Sequence, residues 1–111
     1  MKPKPPYYAV IFTTKAGDID DPAYADAAAE ILELAMTMPG YLGFESARDS
    51  ELGIAVSYWD SLEAIAAWRD NARHTAVRER GRAKWYASYE LRIAKVERHY
   101  GWSSSPATSS S

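Results

Sequence analysis

The residues Tyr41 to Trp59, YLGFESARDSELGIAVSYW, decide how the rest of the chain is organised. Two runs rich in β-branched and aromatic side chains, Tyr41 to Asp49 and Gly53 to Trp59, flank Asp49-Ser50-Glu51-Leu52, a connection of hairpin length. The second run alternates: Ile54, Val56 and Tyr58 point one way and Ala55, Ser57 and Trp59 the other. One face is therefore suited to a core, while the other meets a second layer or a second subunit. The two runs read as antiparallel neighbours.

Upstream, Asp20-Asp21-Pro22 has the chemistry of a helix start, with carboxylates near the free N–H groups and proline in the first turn. Tyr24, Ala28, Ile31, Ala35 and Met38 then recur at helical spacing, widened by Ala27 and Leu34, until Pro39-Gly40 stops the helix. Before it, YYAVIFTT predicts a first strand from Tyr7 to about Thr14, buried on both faces and ended by the turn residues of Lys15-Ala16-Gly17-Asp18. Downstream, Asp60 or Ser61 caps a second helix with Glu63 in its first turn and Leu62, Ile65, Ala66 and Trp68 on its apolar side. The pattern loosens over Asp70-Asn71-Ala72-Arg73, which predicts a bend before a further short helix from about His74 to Arg82. From Trp85, WYASYELRIAKVERHYGW is one long strand-like run, in which a bulge is expected.

The order strand, helix, strand, strand, helices, strand is the βαββαβ arrangement of the ferredoxin-like fold: α+β, with a four-stranded antiparallel sheet. Residues 1–102 form one domain, and the Ser-rich residues 103–111 read as a disordered tail. The uncovered sheet face still carries aliphatic and aromatic residues, and burying it against a second copy would make a two-fold homodimer.

Composition narrows the function. The chain has 111 residues, no cysteine and a formal charge of −2, so thiolate catalysis and disulfides are excluded. Neither nucleic acid nor an anionic membrane is attracted by its net charge. No apolar run approaches a transmembrane span, and the N-terminus does not resemble a signal peptide, so a cytoplasmic location is expected. Phosphate-cradling glycine loops, dinucleotide fingerprints and nucleophile elbows are absent, and His74 and His99 lie on different elements without a carboxylate set for a metal.

What remains is the stretch WRDNARHTAVRERGRAKW, Trp68 to Trp85, with two tryptophans, one histidine, one asparagine and five arginines. His74 titrates near neutrality and is a candidate base or ligand; its alternative is a surface or helix-end histidine. Trp68 is a candidate aromatic wall or a core residue, while Trp85 reads as packing. Most of the arginines read as a solvated helix face, and only Arg82, beside Gly81, is retained as an anion-stabilising candidate. On an unbroken helix positions 68 and 74 lie about 240° apart, so they share a cavity only if the chain bends near Asn71. Asn71, Phe12, Phe44, Tyr58 and Tyr86 are candidate substrate-binding residues.

The segments MPGYLGFESARD, YWDSLEAIAAWRDNARH and WYASYELRIAKVERHY, in this order on this topology, resemble the antibiotic biosynthesis monooxygenase family. The resemblance spans about Tyr7 to Tyr100. It implies a dimeric α/β barrel in which sheet faces pair, the last strand exchanges contacts and each subunit keeps a pocket between sheet and helices. Members acting on anthrone-type substrates use oxygen without metal or flavin, and their tryptophan on the second helix is similar to Trp68. Their following polar residue resembles His74 and their later arginine Arg82, whereas the asparagine one turn before the tryptophan is Ala64 here. Haem-degrading members pair a tryptophan and a ligating histidine similar to Trp68 and His74 with a first-strand asparagine. This chain has Phe12, Thr13 and Thr14 there and no asparagine. The resemblance thus implies a cofactor-independent monooxygenase acting on a small aromatic or polyketide-like molecule. The alternative is a non-catalytic small-molecule or haem-binding dimer.

Overall fold

Backbone pairing in a computed structural model, which describes residues 3–16, 29, 32–49, 51–71 and 86–104, joins four strands into one antiparallel sheet. They are β1 (Tyr7–Ala16), β2 (Tyr41–Arg48), β3 (Leu52–Trp59) and β4 (Tyr86–Val96), in the order β2-β3-β1-β4. Helix α1 is described over residues 32–37, and α2 spans Leu62–Arg69. This is the α+β ferredoxin-like fold.

Register sorts the side chains into two faces. Because strand side chains alternate and paired residues share a side, one face consists of four cross-strand rows. The first row is Tyr41, Trp59, Tyr8 and Lys95, and the second is Phe44, Ser57, Val10 and Ile93. The third is Ser46, Ala55, Phe12 and Leu91, and the fourth is Arg48, Gly53, Thr14 and Tyr89. The helices lie on this side, since Val10 and Trp59 form one buried cluster with Ala35, Ile65 and Trp68, flanked by Tyr8, Leu34, Met38, Tyr41 and Ala64. The core sits over rows one and two. Trp59 is fully buried, and removing a side chain of that kind from water contributes roughly 3 kcal/mol before entropy is counted.

Local chemistry sets the helix ends. Gly40, at φ +90, ends the approach from α1 in a conformation that suits glycine, and its carbonyl accepts a hydrogen bond of 2.8 Å from the Asp60 N–H. Ser61, in extended backbone, caps α2 by accepting the Ala64 N–H at 3.1 Å, and Glu63 occupies the first turn. At the far end the Asp70 N–H donates to the Ala66 carbonyl at 3.0 Å, and α2 stops.

Several boundaries differ from the sequence reading. β1 continues to Ala16 instead of ending near Thr14, because β4 supplies partners for Lys15 and Ala16 across a register shift. Leu52 joins β3, pairing with Lys15. β4 ends at Val96, so residues 97–104 follow the strand and do not extend it. Leu62, expected on the apolar side of α2, is 49% exposed, while Ile65 and Trp68 are buried. β1 is enclosed on both faces to a similar degree: Val10 and Thr14 on the helix side and Tyr7 and Ala9 on the other are buried, while Tyr8, Phe12, Ile11 and Thr13 are half-buried. The expected start of α1 and the further helix from His74 to Arg82 lie outside the described residues.

Candidate active site

Trp68 sits on the last turn of α2, where the Ile65 and Trp68 spacing directs both side chains onto the sheet. Its ring stacks on Trp59 with centroids 5.1 Å apart and planes at 27°, and Tyr41 meets the same Trp59 edge-on at 5.7 Å. The Trp59 Nε1–H donates to Ser57 Oγ at 2.9 Å, which satisfies both buried polar groups and lays the indole along the second row. This aromatic stack closes one end of the helix-facing surface. Just beyond it the Asn71 N–H donates to the Trp68 carbonyl at 3.2 Å, so the half-buried Asn71 is held one turn from the indole and outside the helix. The chain thus leaves helical geometry where the residue pattern predicts a bend.

Beyond the stack the floor opens. Phe44 is 38% exposed, Leu91 37% and Ile93 41%, although all three face the helix side. The middle of rows three and four is built from small residues, Ala55, Gly53 and Thr14, with Phe12 and Tyr89 beside them in ring contact at 5.2 Å. At the opposite margin Arg48 reaches back across β3, and its Nη2 donates to Thr14 Oγ1. With strands about 4.8 Å apart, Arg48 and Tyr89 are separated by roughly 14 Å of backbone.

Of the candidates read from the sequence, Phe12, Phe44 and Trp68 share the helix-facing side, and Asn71 adjoins it. Tyr58 does not join them. It projects to the other face, where its ring meets Tyr7 edge-on at 5.8 Å and its hydroxyl donates to Glu45 Oε1 at 2.7 Å. Glu45 raises the Tyr58 phenol pKa to about 12, first through this hydrogen bond to the neutral form and then with help from burial. Tyr86 lies on β4 opposite Ala16, with its side chain outside the described residues, as are His74 and Arg82 altogether. Among the described residues no cluster of histidine, aspartate and glutamate is arranged to hold a metal.

Arg48 was not among the sequence candidates. Its signal was positional: it falls two residues after Ser46 and four after Phe44 on one side of β2, with a glycine as its hairpin partner. The adjacent Asp49 faces the turn, where its Oδ1 accepts the N–H groups of Glu51 and Leu52, each at 2.7 Å.

The family model of the antibiotic biosynthesis monooxygenases matches residues 8–80, and the chain belongs to that family. YqjZ of Bacillus subtilis, an uncharacterized protein, is 48% identical over 97 residues, covering 86% of this chain and 84% of its own. A variant of SnoaB, a cofactor-independent oxygenase from Streptomyces nogalater, shares the fold with a TM-score of 0.73 at 11% identity, over 86% of this chain and 97% of its own. A conserved protein of Methanosarcina mazei superposes with a TM-score of 0.71 at 8% identity, over 80% and 91% of the two chains.

Proposed function

We propose that the chain is a cofactor-independent oxygenase acting on a small aromatic or polyketide-like molecule held between the helix-facing sheet surface and the segment from Trp68 to Arg82. The observation that carries this reading is the partly open apolar floor beside the Trp59–Trp68 stack, in a fold shared with a cofactor-independent oxygenase. Phe12 and Phe44 contribute to the floor, Tyr86 contributes from β4, and Trp68 fixes the plane of the substrate ring.

His74 acts as the base. It removes a proton from an activated carbon of the substrate, and the resulting carbanion is delocalised as an enolate onto a ring oxygen. Arg82 or Asn71 stabilises that developing negative charge by hydrogen bonding. The carbanion gives its electrons to molecular oxygen, a C–O bond forms, and the peroxide takes up a proton. Loss of water breaks the O–O bond and leaves a carbonyl. One CH2 group and one O2 thus become one C=O and one water.

Oxygen uptake with anthrone-type substrates tests this directly. Wild-type protein consumes oxygen with one equivalent of quinone formed, and His74→Ala lowers the rate by about 100-fold or more, the usual share of a general base. Trp68→Phe retains binding and loses turnover. Ligand binding without oxygen uptake would sink the oxygenase reading in favour of a binding protein, and a haem absorption band abolished by His74→Ala would redirect it to haem.

Two copies pair through the sheet face opposite α1 and α2, making a homodimer. Support comes from Ile54 and Leu52, which are 41% and 40% exposed on that face, and from the exposed aromatic arm that follows β4.

A further inference from the structure

Tyr7 begins β1 and is 5% exposed, and its hydroxyl lies 2.9 Å from Nδ1 of His99, an exposed residue on the segment after β4. In the tautomer protonated at Nε2, Nδ1 is the acceptor and the phenol donates to it. The two rings are 6.1 Å apart, and Tyr58, a diagonal neighbour on β3, meets the Tyr7 ring edge-on at 5.8 Å. Tyr58 is joined through one peptide bond to Trp59, with the two Cα atoms about 3.8 Å apart. On the helix side Trp59 stacks on Trp68 at 5.1 Å. An aromatic path therefore crosses the sheet, from the edge of the candidate pocket to a buried phenol with a base against its hydroxyl.

The geometry points to Tyr7, paired with His99, as a redox-active tyrosine that returns an electron to the Trp59–Trp68 stack when the stack is oxidised. A phenol gives up an electron far more readily when its proton leaves at the same time, and an acceptor held at hydrogen-bond distance takes that proton. Tyr58 donates to Glu45, but a carboxylate is a weaker base than an imidazole, so Tyr7 is the easier of the two phenols to oxidise. The inference rests on the oxygen chemistry proposed above, which supplies the oxidant. A carbanion that gives one electron to O2 leaves a substrate radical and superoxide, and addition of a second O2 turns that radical into a peroxyl radical. The peroxyl radical takes one electron from the stack and becomes a peroxide anion. Tyr7 then gives one electron to the indole radical cation and its hydroxyl proton to Nδ1, which leaves a neutral phenoxyl and an imidazolium. A soluble one-electron reductant of the ascorbate class restores the phenol, and His99 returns the proton. A stray oxidant is thus discharged on the far face of the sheet, away from the substrate.

Photo-oxidation with a ruthenium tris-bipyridine sensitiser and persulfate tests the assignment without any substrate. The starting protein is Tyr100→Phe/Trp102→Phe, which removes the strongly exposed aromatic groups of the arm. Illumination followed by freezing gives a tyrosyl radical in electron paramagnetic resonance, coupled to a proton that exchanges in D2O, the one shared by the phenoxyl oxygen and Nδ1. Tyr7→Phe abolishes the signal. His99→Ala lowers its yield, and imidazole added to the buffer restores it, which a purely structural contact would not do. A radical without an exchangeable proton overturns the assignment whether or not the variants fold, as does the absence of any tyrosyl radical. An undiminished signal in folded Tyr7→Phe or His99→Ala overturns it too. A Tyr7 radical in a protein that takes up no oxygen with anthrone-type substrates upholds the pair and refutes the oxygenase reading alone. Oxygen uptake with no radical at Tyr7 refutes the pair alone.

Discussion

Trp59 has no exposed surface and lies between Trp68 and Tyr41, which makes it the keystone of the core. Trp59→Ala should cost about 3–5 kcal/mol, enough to lower the denaturation midpoint severely, as a urea titration would show. Tyr58 makes a different kind of prediction. Its pKa is raised from 10.0 to about 12, so the folded state holds the proton more tightly than the unfolded chain. The associated stability is fully present below pH 10 and is lost as pH rises toward 12. In near-ultraviolet titration one tyrosine should ionise late in wild type and return to the ordinary range in Glu45→Ala. Individual residues were legible in the sequence to very different degrees. The sequence allows Trp68 as wall or as core, and its burial and stacking on Trp59 make it part of the core at the edge of the floor. Tyr58 could be assigned a side relative to its neighbours by parity, but parity alone does not say which side meets the helices. The position of Arg48 over Gly53 and against Thr14 follows from strand register, which no local pattern around Arg48 encodes.

At the scale of elements, the junctions were read well because they depend on local chemistry. Pro39-Gly40 and Ser61 both stand where helix geometry needs them, whereas β1 and β3 run past their turn residues because neighbouring strands supply hydrogen bonds that no local pattern encodes. Gly40 also brings α1, β2 and α2 together. A Cβ there would lie 2.5 Å from Asp60 Oδ1 and 2.6 Å from the Ala64 Cβ, on a backbone with φ +90. Gly40→Ala should therefore destabilise by more than the roughly 1 kcal/mol of the backbone term alone, while Ser61→Ala should cost about 1 kcal/mol as a lost cap. Thermal melts of the two variants would separate a steric junction from a capping bond. The hairpin carries its own titration. Hydrogen bonds from the Leu52 and Glu51 N–H groups hold the Asp49 pKa below its ordinary value. Its contribution is present above the unfolded value of 3.8 and lost as pH falls through the lower folded one. The Leu52 amide resonance should follow that low-pH step in wild type and lose it in Asp49→Asn.

The whole molecule has two unlike sheet faces, and the sequence anticipated that difference from alternation along β3 without assigning either face. On the face opposite α1 and α2, Tyr7 is 5% exposed because Tyr58 and the segment after β4 lie against it, with His99 Nδ1 and the Tyr7 hydroxyl 2.9 Å apart. Further along the same face Ile54 and Leu52 remain 41% and 40% exposed, and Tyr100 and Trp102 on the following segment are 81% and 86% exposed. Water is a poor environment for that much aromatic and aliphatic surface, and a two-fold pairing would cover every such group twice with one set of contacts. Ile54→Glu tests this at a position where the isolated chain loses little packing. Each interface would then bury two unpaired carboxylates, which should weaken association by about 100-fold or more. Sedimentation equilibrium should find wild type as a dimer and Ile54→Glu as a folded monomer with an unchanged circular dichroism spectrum. A wild-type protein that sediments as a monomer at micromolar concentration would remove the pairing, and the exposed arm would then need a different partner.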